Sequence, residues 1–211
     1  MQKLLKIAGQ AVALTAVTTL FSTAFAAGDA DQGATKAATC IACHGPNGNS
    51  LNPTWPSLAG QHEAYIVDTL KAFKQPNGAE GGRYDVVMSG QALPLSEQDM
   101  ADIGAYFAKQ KMAGKVANPD LVALGERLYR GGDKEAKVSA CIACHGPSGR
   151  GNAPAGYPSL AGQHATYTAK QLNDYRSGAR KSDSGEIMRS VSARLTDDEI
   201  KAVSAYIQGL R

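Results

Sequence analysis

Apolar residues recur along the chain at helical spacing and nowhere at strand spacing. Met100, Ile103 and Phe107 form one stripe, and Ile200, Val203 and Ile207 form a second like it. Each follows a hydroxyl residue with an acid three places on, Ser96 with Asp99 and Thr196 with Glu199. That is the pattern of an N-terminal capping box, so both stretches predict a helix. A middle helix is predicted from about Gln61 to Lys74, with Ile66, Leu70 and Phe73 inward; another follows Pro119, with Leu121, Leu124 and Leu128 inward. On the latter, Gly125 and Tyr129 predict a close approach to the last helix. Glycine- and proline-rich loops lie between these segments, and the expected fold class is all-α.

The stripes belong to a repeat. Residues 39–48 recur almost unchanged as 140–149, and Pro56-Ser-Leu-Ala-Gly-Gln-His62 recurs intact at 158–164, the offset staying between 100 and 102. Two domains are therefore expected, residues 27–114 and 115–211, joined through about Lys111 to Pro119. A domain of that size buries only about 60–70% of its surface unaided. Residues 1–26 read as an export signal: Lys3 and Lys6 precede an apolar run, and Ala24-Phe25-Ala26 fits small-residue cleavage. Gln10 and several threonines make that run a poor membrane span. The expected compartment is the periplasm, where thiols need not stay reduced.

All four cysteines fall in two copies of one pentapeptide, Cys40-Ile-Ala-Cys43-His44 and Cys141-Ile-Ala-Cys144-His145. In a helix, positions i, i+3 and i+4 share a face, so two thiols and one imidazole converge. This suits covalent haem, with two thioether bonds and an imidazole on iron. Two disulfides would leave each histidine without a role. A structural zinc site would want its cysteine pairs about 15–20 residues apart, and a thioredoxin-type pair needs a βαβ setting. The expected cofactors are two haem c groups attached through Cys40, Cys43, Cys141 and Cys144, with His44 and His145 on iron, each haem filling the apolar centre of its domain.

Each iron needs a second ligand. Met188 is the one methionine after residue 114, and the repeat places it opposite Met88; Met100 maps onto Ile200, and Met112 has no counterpart. A thioether is a known partner of histidine on haem iron, which makes Met88 and Met188 the expected ligands, with core packing as the alternative. His62 and His164 also match across the repeat, but each begins a helix, where a polar capping histidine is commoner.

With these motifs, the Gly125-Glu-Arg-Leu-Tyr-Arg-Gly-Gly132 entry to the second half and the closing Tyr206-Ile-Gln-Gly-Leu, the chain resembles the dihaem cytochromes c4. The likeness covers essentially all of it after the export signal. It implies two class I cytochrome c folds packed face to face, with His44 and Met88 on one iron and His145 and Met188 on the other. It also implies that the carbonyls of Pro56 and Pro158 accept a hydrogen bond from the ligating imidazoles, orienting them. Trp55 and Tyr157 align with aromatics near the haem, and core filling is the expected role.

With both axial positions taken, substrate has nowhere to bind, so the chain is expected not to be an enzyme but to transfer one electron per haem. The resemblance implies a cytochrome bc-type, quinol-oxidising complex as donor and a terminal oxidase as acceptor; a monomer is expected, with peripheral membrane association left open. The competing reading is a dihaem oxidoreductase of thiosulfate dehydrogenase or peroxidase type with one labile distal site. Charge divides unevenly: residues 27–114 carry 6 Lys+Arg against 9 Asp+Glu, net −3, and 115–211 carry 14 against 10, net +4. Arg176, Arg180, Lys181, Arg189 and Arg194 gather around Met188, suggesting either partner steering or an ordinary solvated surface. Nucleic-acid binding is not indicated, because the basic residues lack interleaved aromatics.

Overall fold

A computed structural model describes residues 27–211; the expected export signal lies outside them. Ten α-helices follow in order among the described residues: α1 Ala30–Lys36, α2 Ile41–His44, α3 Glu63–Phe73, α4 Val86–Ala92, α5 Glu97–Ala108, α6 Pro119–Gly131, α7 Ile142–His145, α8 Ala165–Ser177, α9 Ile187–Ser192 and α10 Asp197–Gly209. Five belong to each half, and irregular backbone over 111–118 joins the halves. Three isolated bridges are present, and no strand forms among the described residues.

Both capping boxes are formed. Ser96 and Asp99 exchange hydrogen bonds at the start of α5, and Thr196 and Glu199 do so at α10. The faces behind them are buried: Met100, Ile103 and Phe107 pack with Ile66, Leu70 and Phe73 in one core, and Ile200, Val203 and Ile207 with Leu128, Tyr129 and Leu172 in the other. Helix α6 crosses α10 at Gly125, where a Cβ would collide with the Ala202 carbonyl. Helix α1, which no apolar stripe announced, packs on α5 in the same way. Asp29 caps it by accepting from the amides of Asp31 and Gln32, and Gly33 lies against the Asp102 carbonyl.

The halves meet through polar groups. The Gly81 and Lys181 amides donate to the carbonyls of Lys181 and Gly82, at 3.1 and 3.0 Å. Arg180 donates to the Tyr65 hydroxyl at 2.8 Å, and Arg83 to Gln171 Oε1 at 2.7 Å. Trp55 departs from expectation: it is 43% exposed, on a turn closed by its amide bonding the Asn52 carbonyl, and does not fill a core. Tyr157 is half-buried, its ring 6.3 Å from that of His145.

Candidate functional site

Each Cys-x-x-Cys-His segment forms a single helical turn. The His44 amide bonds the Cys40 carbonyl at 2.9 Å, and His145 bonds Cys141 at the same distance. A glycine at positive φ, Gly45 or Gly146, ends each turn, and the chain doubles back. The next glycine supplies a hinge point. The Gly48 carbonyl accepts from the amides of Leu58 and Ala59, and the Gly149 carbonyl from those of Leu160 and Ala161. These paired bonds set the Pro-Ser-Leu-Ala loop against the histidine. His44 Nδ1 donates to the Pro56 carbonyl at 2.8 Å, and His145 Nδ1 donates to the Pro158 carbonyl at 3.0 Å.

A carbonyl can only accept, so the proton sits on Nδ1 and the Nε2 lone pair is left for a metal. Burial holds both imidazoles below their ordinary pKa, the Pro bonds opposing it, and Arg83 lowers His44 further. Both rings are therefore neutral at pH 7, as ligation requires.

None of the four cysteines is in a disulfide. The first cysteine of each motif is partly buried, and burial raises the Cys40 thiol and pushes Cys141 up to about 11. Cys40 and Met88 pack against the same apolar core, and Cys141 and Met188 against the other. Asp85 caps α4 and accepts from the amide of Met88; α9 begins instead behind Gly185 and Glu186, both left-handed. Met100 lies inside a core, and Met112 lies beside Gly162.

The fit to a covalently held haem is good on these donors: two thiols and a neutral imidazole on one turn, with a thioether on the same apolar core. Two buried guanidiniums, Arg83 and Arg180, add to it. Their partners are Tyr65, Tyr167, Gln171 and Ser182, none of them a carboxylate. A buried cation is costly without an anion, and haem carries two carboxylates.

His62 and His164 occupy the N-cap positions of α3 and α8, but neither side chain caps its helix. The expected capping role is absent; His62 is half-buried, and His164 is buried against the other half. His164 Nε2 donates across to the Ser50 carbonyl at 2.8 Å, which engages that nitrogen; His62 Nε2 is buried without a partner.

The basic cluster near Met188 is largely neutralised. Arg180 is buried; Lys181 and Arg189 both pair with Glu80 of the first half; Arg176 pairs with Asp197. Sequence reasoning missed Arg83, Gln61 and Gln163 altogether. The two glutamines, repeated within Pro-Ser-Leu-Ala-Gly-Gln-His, were the one available signal.

Comparison with known proteins agrees with this geometry. A family model described as "Cytochrome c" matches twice, over residues 30–111 and 122–211. The chain is 52% identical over 192 residues to cytochrome c4 of Azotobacter vinelandii, covering 89% of this chain and 91% of that protein. It is 40% identical over 177 residues to a protein of Thiomonas intermedia named "Thiosulfate dehydrogenase electron acceptor", covering 82% and 78%. Among solved structures, reduced recombinant cytochrome c4 from Pseudomonas stutzeri superposes with a TM-score of 0.84 at 49% identity, covering 88% of this chain and all of that one.

Proposed function

The chain belongs to the cytochrome c family, in its dihaem cytochrome c4 branch with two covalently bound haem c groups, and from that premise we propose that it shuttles single electrons in the periplasm between a quinol-oxidising, cytochrome bc-type complex and a terminal oxidase. The observation that carries this is the pair of neutral imidazoles, each tied through Nδ1 to a proline carbonyl and each leaving Nε2 free.

When bound, each haem supplies a one-electron Fe(III)/Fe(II) couple. Cys40, Cys43, Cys141 and Cys144 carry the thioether links in this reading. His44 and His145 would each hold an iron, their rings fixed by Pro56 and Pro158. Met88 and Met188 would supply the second protein ligand, a thioether that would raise the potential. With both ligands from the protein, the chain would offer no substrate site and would act by outer-sphere transfer. The apolar cores of the two halves exclude water from the couple, and the guanidiniums of Arg83 and Arg180 suit the haem carboxylates. A relative named as an electron acceptor, not as a dehydrogenase, supports the carrier role. The expected export signal supports the periplasm.

A redox titration followed by visible absorption tests this on the native protein beside Met88→Ala and Met188→Ala. Two one-electron couples are expected, and each substitution should lower one of them and leave the other in place. Native couples left unmoved by both substitutions would refute the assignment.

A further inference from the structure

The loop that orients each histidine is gripped by the opposite half of the molecule. Gln163, on the second half, accepts from the Ser57 amide through Oε1 at 2.9 Å and donates to the Ser57 carbonyl through Nε2 at 2.9 Å. Gln61, on the first half, does the same to Ser159, both bonds at 2.9 Å. Ser57 follows Pro56, and Ser159 follows Pro158. The amide N–H that each glutamine takes therefore belongs to the same planar peptide unit as the carbonyl that takes the histidine proton.

Hydrogen bonds at the two ends of one peptide reinforce each other. Drawing on the Ser57 N–H places more negative charge on the Pro56 oxygen, which tightens its hold on His44 Nδ1–H. The imidazole becomes a stronger donor to iron, favouring the ferric state. The glutamines are themselves fixed, since each Oε1 also accepts from the following residue's amide, His62 or His164, at 3.0 Å. All four residues of the clamps except Ser159 are buried, so water does not compete strongly for these bonds.

We propose that Gln61 and Gln163 are positioning residues that act crosswise, each setting the axial histidine, and with it the potential, of the haem held by the other half. This rests on His44 and His145 being the iron ligands. The consequence is a carrier whose two potentials depend on the halves staying docked.

The test uses the haem-loaded protein. Ferric-state proton NMR gives two sets of axial-ligand signals, assigned by the set that disappears in Met88→Ala. In Gln163→Met, the His44 haem should rise in potential and its Nδ1–H should exchange with solvent faster, by less than the roughly fivefold that losing a whole bond of ~1 kcal/mol would give. The His145 haem should stay in place. Gln61→Met should give the mirror result, and Gln163→Glu, which keeps an acceptor for Ser57 N–H, should keep that exchange slow. Equal movement of both haems, movement of the haem in the mutated half, or no movement at all would overturn the proposal. Should Gln163→Met not fold, Gln61→Met and Gln163→Glu carry the same contrast. If Met88→Ala removes neither set of signals, the ligand assignment fails instead.

Discussion

At the scale of single residues, the engaged ring nitrogen separates His164 from the two expected ligands. His44 and His145 spend Nδ1 on proline carbonyls, whereas His164 spends Nε2 on Ser50. His164→Ala should therefore leave the sulfur-ligated absorption of both ferric haems intact while costing about 1–3 kcal/mol in denaturant unfolding, the range for a buried bond whose acceptor is left unpaired. Another residue-scale cluster predicts a pH dependence. Lys36 pairs with Asp99 at 2.8 Å and with Asp102, whose side chain is 3% exposed and also accepts from the Asp29 amide and Gln98. The Lys36 hydrogen bonds hold both carboxyls below their ordinary value of 3.8. Groups depressed in the folded state stabilise it above the unfolded pKa and cease to do so as pH falls through the folded one. Lys36→Met should lower the melting temperature at neutral pH, and the gap from the native protein should close as the pH is taken well below 3.8. A gap that persists there would assign the effect to packing.

At the scale of elements, each half is built on one crossing of its first helix over its last, and a glycine permits it. Gly125→Ala should lower unfolding stability by about 1–3 kcal/mol, as overpacking does, with haem still attached; an unchanged denaturant midpoint would show that α6 is free to move off α10. How far these elements could be read from the sequence varied for physical reasons. Helices α5 and α10 were plain because capping box and apolar stripe coincide. The turns bearing the cysteines are helical, the condition under which Cys-x-x-Cys-His brings its thiols and imidazole onto one face. Helix α1 was not legible: Ala-Asp-Gln-Gly-Ala-Thr-Lys has no apolar face, and it is held by an aspartate cap and a close glycine contact that only packing reveals. Trp55 misled because aromatic character suggests burial, whereas on its turn it is 43% exposed.

At the scale of the whole molecule, the repeat fixes the halves but not their docking. Which glutamine meets which serine, or that Arg83 and Arg180 face one another's neighbours, depends on the relative orientation of two bodies, which no local pattern encodes. The same docking redraws the charge picture. The second half's excess of basic residues is partly used inward, with Lys181 and Arg189 sharing Glu80 of the first half. Net charge therefore overstates the basic face available to a partner. What the assembled halves present is a pair of haem c domains joined by a polar, hydrogen-bonded seam. The most direct test of the axial ligation is to add carbon monoxide to the fully reduced protein and record its visible spectrum. If His44 with Met88 and His145 with Met188 fill both axial positions, the spectrum should be unchanged. Appearance of a carbon monoxide complex at either haem in the folded protein would contradict it.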